Sequence, residues 1–309
     1  MASPSSQNRT TGAFVSRLFY RESTLGPILL SPGFIFLIVM MAYPFVYAVY
    51  LSFTDKESGG AANFTGLENF QKLFSYGPYG RTIINSIVYT VFALALKFLG
   101  GLGLASILNR PFVGQRYVKA LMLLPWIMPT VFSTMIWQWI LAPGFSVANI
   151  ILVEKLHIFS ENLPFLRDER LAMASLIGIN IWRGLPFFGI TFLAAIQGVS
   201  VEILEAAKID GASPWVAFWR VTFPIIQPIV MVVILISTIG TIGDFDLPFL
   251  LTRGGPNDAT SLFSLLSYQL TFGSGRIGLG AAVTMTMFPL LTALIVASLI
   301  MVRRRQQND

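Results

Sequence analysis

The sequence predicts an all-α polytopic membrane protein, with six transmembrane helices preceded by an amphipathic elbow helix at the N-terminus. Three observations carry that prediction. Hydrophobic residues make up 54% of the 309-residue chain and charged residues only 12%, with a mean hydropathy of +0.69, which is too apolar for an ordinary soluble domain. The apolar residues gather in six runs, each near the roughly 20 residues needed to cross a bilayer core. Lys and Arg fall unequally between alternate loops.

Residues 1–25 read as a disordered Ser-, Thr-, Asn- and Gln-rich start followed by the elbow, where Phe14, Val15, Leu18 and Phe19 alternate with Arg17 and Arg21 at the spacing of a surface-lying helix. The membrane domain occupies 26–302, with expected spans from Pro27 to Leu51, Ile83 to Leu108, Leu121 to Leu141, Leu171 to Ile196, Thr222 to Phe245 and Gly278 to Val302. Residues 303–309 form a basic tail. The first run is too long and wrongly flanked for a cleaved signal peptide. Leu124-Pro125-Trp126 and Pro129 predict a kink in the third span. Trp137 and Trp139 fall near its outer end, where indole rings favour the headgroup boundary. The following loop closes on Arg167-Asp168-Glu169-Arg170, read as a solvated face.

An even number of spans puts both termini on one side. That side carries eleven Lys and Arg in its flanks, from Arg9 to Arg305, against eight in the longer opposite loops, so the termini are expected in the cytoplasm. The net charge of +6 is mostly this bias and leaves no basic patch for nucleic acid. With no cysteine there is no disulfide, Cys-ligated zinc or thiol chemistry, and the single His157 lies in an outer loop without partners. No metal site and no catalytic residue is expected. No G-x-x-x-x-G-K-[ST] run cradles nucleotide phosphates, so the chain is expected to be no enzyme and to hold no cofactor of its own. The Asn8 and Asn63 glycosylation patterns are short enough to arise by chance.

Between the fourth and fifth runs lies a polar stretch, about 198–221, that reads as a docking loop. Ser200 is placed to cap a short helix whose first turn carries Glu202. Gly211 is placed to end that helix in a left-handed conformation, and Ser213-Pro214 to start a second helix that stops before Pro224. The plainer reading is an amphipathic loop at the bilayer surface. The spacing of Glu205, Ala206, Ala207, Asp210, Gly211, Ala212, Phe218, Pro224 and Pro228 resembles the cytoplasmic coupling loop of permease subunits in binding-protein-dependent ABC importers of the maltose type. Phe64-Thr65-Gly66-Leu67-Glu68-Asn69-Phe70 and Thr252-Arg253-Gly254-Gly255-Pro256 also look like that family. The resemblance implies the type I importer permease fold in the bacterial inner membrane. It further implies a heterodimer with a second six-helix permease, two cytoplasmic ATPases that bind ATP and Mg, and an extracytoplasmic solute-binding protein delivering a carbohydrate. In it, Glu205, Ala206, Ala207, Asp210 and Gly211 couple to the ATPases.

Four ionisable residues fall inside the expected spans or at their edge: Lys97, Arg183, Asp244 and Asp246. Each costs roughly 2.5–3.5 kcal/mol on insertion scales unless paired or hydrated. One reading is an inter-helix ion pair between Arg183 and the aspartates; the other is a hydrated sugar site. Asn180, Trp182, Gly184, Pro186 and Phe187 are similar to the family motif N-x-W-x-G-x-P-[YF]. By that resemblance the substrate contacts fall on Asn180, Arg183, Gly184, Phe187, Ser237, Gly240, Thr241 and Asp246, joined by Asp244; Arg183 departs from the pattern by replacing an apolar residue, and Asp244 and Asp246 by replacing neutral ones. Lys97, outside the motif, reads as paired or snorkelling. The competing class is an ion-coupled secondary transporter using Asp244, Asp246 and Lys97 as a relay, which six spans without an inverted repeat disfavour. A structural scaffold would leave these charges with no role beyond pairing.

Overall fold

The computed structural model describes residues 22–306, so the elbow helix and the end of the basic tail lie outside the described residues. Among the described residues the chain is helical, with one isolated antiparallel bridge between Thr54 and Phe64. Among the described residues, four helices are long and apolar enough to cross a membrane: Leu29–Ser52, Gly77–Leu108, Glu169–Gln197 and Pro214–Ile242. The sixth run lies in the helix Ile277–Gln306, apolar over Ile277–Ala293.

The third crossing departs from its expectation. Instead of a kinked span, Gln115–Ile127 and Thr130–Ile140 meet at 93°. Pro129 has no N–H to give and forces Met128 out of the helical region, to φ −64° and ψ 129°. The break leaves Thr130, half-buried, at the start of a new helix.

Two other prolines are absorbed without a break. π-helical turns at Ile38–Ala42 and Phe218–Thr222 precede Pro44 and Pro224, and Tyr43 N–H and Phe223 N–H donate five residues back, to Ile38 and Phe218. The wider turn takes up the register slip that a proline imposes on an i to i−4 ladder. The second helix of the 198–221 loop therefore does not stop before Pro224, as expected, but runs on into the fifth span. The second span also starts earlier than expected, at Gly77, because Pro78 suits the first turn of a helix.

The second and fourth spans form the centre, approaching through small residues. A Cβ on Gly101 would lie 2.6 Å from Cβ of Phe188, and one on Gly189 would lie 2.6 Å from Cδ2 of Leu104; small residues let helices approach where lipid offers no hydrophobic drive. Leu102, Leu108, Phe192, Ile226 and Val230 fill one side of this contact. Tyr89, Leu176, Ile179, Leu247 and Leu262 fill the other.

Several surface readings change with the packing. Trp139 is exposed, whereas Trp137 turns inward against Trp182 at 5.5 Å between ring centroids. The 167–170 charges are not merely solvated. Asp168 Oδ1 accepts from the N–H groups of Arg170 and Leu171 at 3.0 and 2.9 Å, capping the fourth span. Glu169 receives Arg81, and Nδ2 of Asn257 at 3.0 Å.

Candidate functional site

The second, third, fourth and fifth spans line an open cavity of about 440 Å³. Eight of the nine residues expected at a substrate site line it: Asn180, Arg183, Gly184 and Phe187 from the fourth span, Ser237, Gly240 and Thr241 from the fifth, and Asp244 from the link that follows it. Asp246 does not. The fifth helix ends at Ile242, and the non-helical link through Gly243 turns the chain, so Asp246 heads the short helix Asp246–Leu251 with its side chain exposed.

The polar groups form an interlocked set. Asp244 Oδ2 accepts from the Tyr89 hydroxyl at 2.6 Å and from Asn180 Nδ2 at 3.2 Å, and Nδ2 also donates to the Tyr89 oxygen at 2.7 Å. Lys97, 3% exposed, donates from Nζ to the hydroxyls of Ser237 at 2.9 Å and Thr241 at 3.1 Å. Arg183 donates from Nη2 to the Thr130 hydroxyl, which the break at Pro129 brings within reach. Arg183 is not ion-paired to an aspartate. The ion pairs among the described residues are Lys72 with Glu68 and Arg81 with Glu169, so the inter-helix ion pair weighed from sequence does not form. Two buried atoms of the set have no partner among the described residues, Asn180 Oδ1 and Arg183 Nε.

The remaining walls are aromatic. Trp126, just before the break, stacks on Phe187 with 5.6 Å between centroids and 15° between planes, and Phe188 lies 5.8 Å from the Lys97 ammonium. Lys97, Trp126, Thr130 and Tyr89 were not expected at the site. Lys97 was visible as a charge in a span, but its hydroxyl partners stand about 140 residues later.

On the opposite side of the fourth span from its capped N-terminus lies the short-helix corner. Val201–Ile209 ends at Asp210, and Gly211 follows at φ +78°. The N–H groups of Gly211 and Ala212 donate to the carbonyls of Lys208 and Ala207, both at 3.0 Å, closing a Schellman turn that requires the left-handed glycine. Ser213 Oγ accepts from Val216 N–H at 3.3 Å and caps Pro214–Ala217. Ser200 occupies the N-cap position, but its hydroxyl turns to Glu202 instead of the backbone. That contact holds the Glu202 carboxyl below its ordinary range. Glu205, Ala206, Asp210 and Gly211 are exposed, and Ala207 is buried beneath them.

Residues 97–307 match the model of the family described as binding-protein-dependent transport system inner membrane component. The chain belongs to this family. Among similar proteins, the permease is 30% identical over 271 residues to the sulfoquinovosyl glycerol transport system permease protein SmoG of Agrobacterium fabrum, covering 87% of each chain. It is 28% identical over 285 residues to the trehalose/maltose transport system permease protein MalF of Thermococcus litoralis, covering 92% of the permease and 95% of the relative. In fold it matches a chain of a bacterial alginate ABC transporter, solved in complex with an alginate pentasaccharide-bound periplasmic protein, at a TM-score of 0.78 and 22% identity over 95% of the permease and 97% of that chain.

Proposed function

We propose that the permease forms, with a second permease, the translocation path of an ATP-driven bacterial importer for a carbohydrate handed over by an extracytoplasmic solute-binding protein. The carrying observation is that the cavity lies between the two spans that the Gly211 corner joins. Movement of that corner is transmitted along two continuous helices to the groups that line the cavity. The relatives named for sulfoquinovosyl glycerol and for trehalose and maltose support a sugar or sugar derivative as cargo.

The chemistry of the lining suits such a ligand. Asn180 Oδ1 is buried without a partner among the described residues, and a sugar hydroxyl that reached it would recover about 1–3 kcal/mol. Trp126 and Phe187 give an apolar face on which a pyranose ring can lie, and Ser237 and Thr241 hold Lys97 ready as a donor. The eight cavity residues are the proposed contacts.

ATP and Mg are assigned to two separate cytoplasmic ATPase subunits, and this chain contributes no hydrolytic step. Closure of the ATPase dimer would move Glu205, Ala206, Ala207, Asp210 and Gly211 as a lever and reorient the fourth and fifth spans. Both termini and the lever lie in the cytoplasm in this reading. Uptake by the reconstituted complex tests it. Vanadate should abolish transport and an uncoupler should leave it intact; the reverse pattern, with this chain sufficient alone, would instead assign Lys97 and Asp244 to an ion relay.

A further inference from the structure

From the charges of the cavity we infer that the cargo carries an acidic group, a carboxylate or its sulfonate or phosphate equivalent, seated on Arg183 and Lys97; this rests on the carbohydrate reading above. Three ionisable side chains line the cavity, two cationic and one anionic. Among the described residues no ion pair joins the anion to either cation. Asp244 is held by neutral donors, the Tyr89 hydroxyl, the Asn180 amide and, at 3.4 Å, the N–H of Leu247. Lys97 and Arg183 are likewise held by neutral hydroxyls, those of Ser237, Thr241 and Thr130.

Hydroxyl acceptors orient a cation without cancelling its charge. A site for a purely neutral sugar gains nothing from a second buried cation, because hydroxyl groups are served equally well by amides and hydroxyls at lower desolvation cost. Arg183 presents a planar fork that matches a carboxylate, yet its Nε is buried with no acceptor and only Nη2 is engaged. Lys97, with two of its three donors used, supplies the balancing point charge from the second span.

Equilibrium binding to the assembled permease–ATPase complex, without the solute-binding protein, tests this, so that any selectivity belongs to the cavity. The probes are glucuronic-acid-terminated oligosaccharides of two to four units and their carboxyl-reduced counterparts, which differ only in CO₂⁻ against CH₂OH. The wild-type complex should bind the acidic member about tenfold or more tightly, as charge-assisted hydrogen bonds imply. That ratio should fall toward one in Arg183→Gln and shrink in Lys97→Gln, with complex yield and thermal unfolding checking assembly. The wild-type comparison needs no variant to be decisive. Equal or tighter binding of the reduced member would overturn the acidic group and leave the carbohydrate reading standing. Binding of neither member at millimolar concentration would remove both.

Discussion

Lys97 lies so close against Gly184 that a Cβ there would stand 2.6 Å from its Cδ. The glycine of the fourth span is thus the seat on which the second span's lysine stem rests, and it sets how far the ammonium reaches toward Ser237 and Thr241. Gly184→Ala should push the stem aside, an overpacking cost of about 1–3 kcal/mol. It should lower both the thermal stability of the complex and substrate uptake. Unchanged melting and uptake would mean that the lysine is free to adjust.

The two aspartates of the Gly243-Asp244-Phe245-Asp246 segment should behave differently. Asp244→Asn removes the charged acceptor shared by Tyr89 and Asn180, and hydrogen bonds to charged groups contribute about 1.5–3 kcal/mol. Asp246→Asn changes an exposed side chain and should stay within about 0.5 kcal/mol of wild type, with normal uptake. Denaturation of the purified complexes and transport assays on both variants check this; a silent Asp244→Asn or a damaging Asp246→Asn would reverse their assignment.

At the corner, Gly211→Val places a β-branched residue at φ +78°, where L-residues are strained by about 1–2 kcal/mol. The Schellman turn should open, and co-purification of the ATPase subunits should fall. Gly211→Asn, which tolerates the left-handed region, should retain most of it. Equal behaviour of the two variants would show that backbone conformation at 211 does not govern coupling.

Much of this organisation is legible along the chain. Apolar runs mark the first and fourth spans to within two residues, while the second and fifth begin about six and eight residues before their runs and the third breaks in two; the glycine corner follows from local chain geometry around Asp210, Gly211 and Ser213. The centre of the site is less accessible because its contacts are non-local. Nothing around Tyr89 or Lys97 signals that they meet Asp244, Ser237 and Thr241 across about 140–155 positions. Pro129 announced a disturbance, but its size depends on whether the next turn can restart, and a 93° break brings Thr130 to Arg183 where a mild kink would not. Counting Asp246 with Asp244 assumed a fifth span that carries both, whereas its helix stops at Ile242.

The absence of native cysteine makes topology directly measurable. Ser213→Cys should react with a membrane-impermeant maleimide only in inverted vesicles, and Ser274→Cys only in spheroplasts. Both positions are exposed. The opposite pattern would place the Gly211 corner outside the cell and end its role as a lever for cytoplasmic ATPases.

Gly240 offers the most direct test that cargo passes through the cavity, since it lines the space and a Cβ there meets nothing within 4 Å. Gly240→Cys in the complete reconstituted importer should be modified by a thiol-directed methanethiosulfonate. Modification should block ATP-driven uptake of the carbohydrate presented by the solute-binding protein, and the transported sugar should slow the modification during turnover. Full uptake after complete modification at 240 would contradict the account, because the path would then run elsewhere.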